Sequence, residues 1–78
     1  MPNVTKIGPY RIFFYSNEGE EPPHVHVKQD RRLAKYWLDP VELASSSGFP
    51  AHVLRELLDI VKMRRAEFRK AWDDYFSD

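Results

Sequence analysis

No cysteine occurs in this chain of 78 residues, which excludes a disulfide framework and any thiolate-ligated metal centre. Glycine is scarce, at three residues, and no repeat, linker or low-complexity tract divides the chain. Neither cationic nor anionic side chains are in excess. The 12 lysines and arginines balance 12 aspartates and glutamates, so net charge argues neither for nor against nucleic acid. There is no apolar run near the roughly 20 residues that span a bilayer, and nothing resembles a secretory leader. These absences lead to the expectation of a cytoplasmic protein with no membrane association.

What is present suits one small folded domain over residues 1–78, with 42% hydrophobic, 14% aromatic and 31% charged residues. A core of that size is marginal, and self-association or a partner often supplies missing burial. Val4 to Ile7 reads as a short opening strand before the Gly8-Pro9 turn. Tyr10 to Ser16 is rich in aromatic and β-branched residues and reads as a second strand. An acidic loop from Asn17 to Pro23 follows, with Gly19 between Glu18 and the Glu20-Glu21 pair. Leu33 to Leu38, stopped by Asp39-Pro40, and a short Val41 to Ala44 segment complete the strands.

From Pro50 the period changes from two to that of a helix. Leu54, Leu57, Leu58, Val61, Phe68, Ala71, Trp72 and Tyr75 recur at steps of three and four. Pro50 stands where a first helical residue is favoured. The prediction is an α+β fold: a β-meander of three to five mostly antiparallel strands over 1–48, and one long C-terminal helix over 49–78 on one face. One helix leaves the other sheet face uncovered. Phe13 and Tyr15 would lie there, opposite Tyr10, Ile12 and Phe14, and exposed aromatics mark interfaces. Docking of a cognate protein or a second copy through Phe13 and Tyr15 is therefore expected. Sheet curvature covering those rings is the other reading.

Glu21-Pro22-Pro23-His24-Val25-His26-Val27-Lys28 carries two of the three histidines, and its alternation is that of a strand. His24, His26 and Lys28 would share one face. Two imidazoles can exchange the roles of base and acid near neutral pH, and an ammonium can steady a developing phosphate charge. Catalytic His24, His26 and Lys28, with Arg31, Arg32 and Lys35 holding the polyanion, would make a metal-independent ribonuclease. The same pattern also describes a solvated polar strand face. A catalytic zinc would need a third ligand from His52, Asp30, Glu18, Glu20 or Glu21. No spacing forces any of these close, so neither metal nor cofactor is assigned. Arg65 interrupts the apolar stripe of the helix. Either its stem packs while the guanidinium reaches an edge, or the helix bends there, or the side chain turns inward to pair with Asp39 or Glu42 or to reach an anion. Arg55, Lys62 and Arg69 form a basic stripe, usually just the solvated side of a helix.

Tyr10 to Gly19, the Glu21 to Val27 segment, Ala34 to Leu38, Pro40 to Ala44, and the late Ala71-Trp72 with Tyr75-Phe76 resemble the domain of unknown function 4160 family of short bacterial proteins. The resemblance implies membership of two-gene, toxin–antitoxin-like modules, with a cognate small protein encoded alongside. It brings no catalytic residue with it. The Gln29-Asp30-Arg31-Arg32 turn is less typical of the family. A ribonuclease and a non-enzymatic half of a protein pair both fit that context.

Overall fold

Among the described residues five strands, each antiparallel to the one before it, form a single sheet in the order of the chain. They are β1 (Asn3–Ile7), β2 (Tyr10–Phe13), β3 (His24–Gln29), β4 (Arg32–Leu38) and β5 (Val41–Ser47). The computed structural model describes residues 3–77, so the two ends of the expected 1–78 span lie outside the described residues. The β1–β2 turn needs a positive φ, and Gly8 supplies it at 56°. Asp30 does the same in the β3–β4 turn at 55°, where a short polar side chain tolerates the left-handed backbone. β2 ends at Phe13, three residues before the expected Ser16, whereas β5 runs three beyond the expected Ala44.

Period-two alternation puts Ile12, Val25, Val27, Ala34, Tyr36 and Leu38 on one face, where they are buried against Phe49, Leu57, Val61 and Phe68. The Tyr36 hydroxyl donates to the Leu54 carbonyl at 2.8 Å, satisfying a polar group inside this core. Burial pushes the Tyr36 phenol up to about 12.

The expected single helix is two: α1 (Ala51–Met63) and α2 (Arg65–Phe76), parted at Arg64 with φ −108° and ψ 18°. No proline or glycine stands at the break. The bend falls where arginine interrupts the apolar stripe, and Arg65 is anchored to the sheet. Its Nε donates to the Leu38 carbonyl at 2.6 Å, and its Nη2 lies 3.0 Å from Asp39. Of the readings of Arg65, the helix does bend there, and the partly exposed guanidinium pairs with Asp39. Arg69 joins the same carboxylate at 3.2 Å and also meets Asp73, so it is not a free member of a basic stripe. Lys70 pairs with Asp74 at 2.7 Å. These exposed pairs fix direction more than they add stability. The result is that α1 packs on the sheet face while α2 passes the end of the sheet where β2 and β4 finish and β3 begins. Among the described residues, no helix is long and apolar enough to cross a membrane.

Candidate functional site

The register aligns His24 with Trp37, His26 with both Phe13 and Lys35, and Lys28 with Arg11 and Leu33. His24, His26 and Lys28 do occupy alternate positions of one strand face. Their exposure separates them: His24 is 0% exposed and His26 7%, while Lys28 is open to solvent. An outward pair of imidazoles was expected, and for His24 the bend at Arg64 is part of why it is not found. It brings Trp72 over the start of β3, with ring centroids 4.8 Å from His24, and Trp37 closes another side at 5.5 Å. His26 lies 24° from parallel to Phe13, at 5.4 Å, with Tyr15 edge-on at 4.8 Å.

Both imidazoles converge on one carboxylate from the acidic loop. His24 Nε2 is 2.9 Å from Glu18 Oε1, and His26 Nε2 is 3.1 Å from the same oxygen. The loop is built to present it. The Tyr15 backbone N–H donates to Glu18 Oε1 at 2.9 Å, and the Glu21 N–H donates to the Glu18 carbonyl at 3.0 Å. Gly19 lets this loop lie against α2, because a Cβ there would stand 2.6 Å from a Phe76 ring carbon. The tautomer of His24 follows from its other nitrogen. Nδ1 is 2.9 Å from the Pro22 carbonyl, which can only accept, so Nδ1 carries the proton. In the neutral ring Nε2 then presents a lone pair. That fully buried atom makes no aligned hydrogen bond, despite its 2.9 Å approach to Glu18.

Desolvation pushes the Glu18 carboxyl up, but the Tyr15 N–H and the two histidines outweigh it and hold it below its usual 4.5. Desolvation pulls His26 below its usual 6.5, and Glu18 only partly offsets this. Both folded values are depressed, so the unfolded chain takes up protons first as pH falls. The stability involved is fully present above about pH 6.5 and is lost on acidification, first through His26 and then, below about 4.5, through Glu18. The urea midpoint of metal-free protein is expected to fall steadily from about pH 7 to about pH 4. A midpoint that rises on acidification would contradict this arrangement.

The remaining predicted site residues divide. Lys28, Arg31 and Arg32 come together with Arg11 and Asp30 around an open recess of about 410 Å³, with Phe13, Tyr15 and Leu33 along it. Lys35 is not with them: it pairs with Glu21 at 2.7 Å and lies over the Trp37 ring at 4.4 Å. Phe13, expected as an exposed docking ring, is buried beneath Tyr15, His26 and Arg11, whose guanidinium sits 5.1 Å from it. Tyr15 keeps 38% of its surface. His52 and Asp30 are exposed elsewhere, so Glu18 alone of the carboxylates considered joins the histidines among the described residues. Sequence reasoning missed Trp72 as the cover of His24 and Arg11 as part of the recess. Only the Arg11 omission had a signal, since its parity on β2 matches that of Phe13.

The class so defined is a small α+β protein: an antiparallel meander whose bent pair of consecutive helices closes one sheet face and one sheet end over a Glu–His–His cluster. The chain belongs to the domain of unknown function 4160 family, whose profile matches residues 10–73. No curated protein and no solved structure matches it.

Proposed function

We propose that this chain is a non-enzymatic docking component of a two-gene, toxin–antitoxin-like module, and that its helix-free sheet face receives an acidic surface of the cognate small protein. The observation that carries this reading is the recess beside Tyr15, where Arg11, Lys28, Arg31 and Arg32 surround an aromatic and aliphatic floor with Asp30 as the one acidic member. An apolar anchor ringed by charge is how interface centres are built. A second copy is a poorer occupant, because a two-fold contact would set these cations against themselves. Unassisted ribonuclease chemistry has less geometric support. The His24 ring is sealed under Trp72 and Trp37, which leaves a polymer phosphate no route to it.

The test is titration calorimetry of the purified chain with the product of the neighbouring gene, for wild type and for Arg11→Glu with Arg31→Glu. The double reversal is expected to weaken binding by at least about tenfold, mostly through the association rate, and wild-type affinity is expected to fall with salt. Equal affinity in both proteins would overturn the docking assignment. RNA cleavage by the purified chain that His26→Ala abolishes would restore the nuclease reading.

A further inference from the structure

We propose that Glu18, His24 and His26 form a binding site for one divalent first-row transition ion, of which zinc is the type. This goes beyond the docking reading and does not depend on it.

The donor atoms offered by these three side chains all lie within 4.8 Å of one another. A zinc ion with bonds of about 2.1 Å sets its ligands about 3.4 Å apart in a tetrahedron. The observed 2.9 and 3.1 Å separations from Glu18 Oε1 need to open by a few tenths of an ångström, and the two imidazole nitrogens, within 4.8 Å of each other, need to draw together on the ion. The stronger argument is the state of His24. Its Nδ1–H is committed to the Pro22 carbonyl, the outer hydrogen bond that fixes a metal-binding imidazole in the correct tautomer. Its Nε2 is fully buried and lacks an aligned hydrogen bond, although a carboxylate oxygen lies only 2.9 Å away. Two lone-pair-bearing atoms at that distance repel each other unless a cation lies between them. A proton on Nε2 would favour a straight hydrogen bond, and the alignment is not that of one. A metal ion attracts both atoms without requiring them to point at each other.

The donor set narrows the class of ion. Two imidazoles and one carboxylate suit zinc and its neighbours, whereas calcium and magnesium prefer all-oxygen sites. Three protein ligands leave at least one coordination position. The Glu18 and His26 side chains keep 13% and 9% of their surface, so water can reach the cluster from solvent and fill that position. Tyr15, edge-on to His26, stands beside that opening.

Chelator-treated, full-length chain titrated with zinc chloride is expected to bind one ion per chain. Near-saturating zinc is expected to raise Tm by about 10 °C or more, and magnesium is expected to leave it unchanged. Cobalt(II) is expected to give the intense visible absorption of a four- or five-coordinate ion rather than the pale colour of the hexahydrate. Glu18→Gln keeps the side-chain shape on an outer loop, so it should fold. It and His26→Gln are each expected to weaken zinc binding about a hundredfold. His52→Ala, which alters the exposed imidazole of α1, should leave the affinity unchanged. Failure to bind zinc, or binding that survives Glu18→Gln and falls in His52→Ala, would overturn the site. Both readouts leave the docking experiment untouched.

Discussion

Phe68→Ala is expected to leave little of the folded chain standing, with a loss of about 3–5 kcal/mol from a domain whose total stability is about 4–12 kcal/mol. Phe68 is fully buried and comes from α2, yet it belongs to the same cluster as Val61 and Leu57 of α1 and Tyr36 and Leu38 of β4. It is the side chain that ties the second helix to the core laid down by the first. Removing it leaves a cavity at the bend, where Arg64 and Arg65 cannot fill the space without burying charge. Urea denaturation at fixed pH measures the loss. Met63→Ala, at the exposed end of α1, provides the comparison, and its effect should stay within about 0.5 kcal/mol. Similar midpoints for the two variants would mean that α2 is not docked on the sheet in solution.

The bend is also where the sequence was only partly legible, since a bend at Arg65 is one of several ways to read an arginine in the stripe. The strands could be read from alternation because one face of each is buried, and a one-residue slip would expose Val25 and Val27. The helix start could be read from Pro50 to within a residue or two: it stands at the N-terminal cap, one place before the first helical residue. A break without proline or glycine leaves no such mark. The apolar stripe passes through Arg65 in phase, and the pattern alone cannot tell a snorkelling arginine from one anchored to Leu38 and Asp39. That single ambiguity spread to the site. With a straight helix, His24 faces water on the open side of the sheet. With a bent one, Trp72 reaches round the sheet end and seals it. The face shared by His24, His26 and Lys28 was readable from parity, but the burial that separates Lys28 from the two imidazoles was not. The choice of Glu18 over Glu20 and Glu21 was also beyond reach. It depends on the Tyr15 backbone N–H and on how closely Gly19 lies against Phe76.

Trp72→Ala is expected to cost about 3–5 kcal/mol and to expose His24 while the sheet persists. The indole packs against His24 at 4.8 Å, Phe14 at 5.1 Å and Phe76 at 4.4 Å. Its loss therefore removes aromatic contacts on both sides of the acidic loop. Alanine at 72 keeps the helix, since alanine is the best helix former, so the damage falls on packing rather than on α2 itself. Acylation by diethyl pyrocarbonate, mapped residue by residue, distinguishes this from a global loss of structure. In the wild type His52 reacts and His24 is protected, while in Trp72→Ala the His24 rate should approach that of His52. Trp72→Phe, which keeps a ring over the imidazole, should restore most of the protection and lose only about 1–2 kcal/mol. Protection of His24 that survives in folded Trp72→Ala would assign the cover to Trp37 alone, and the bend at Arg64 would then have no part in shaping the site.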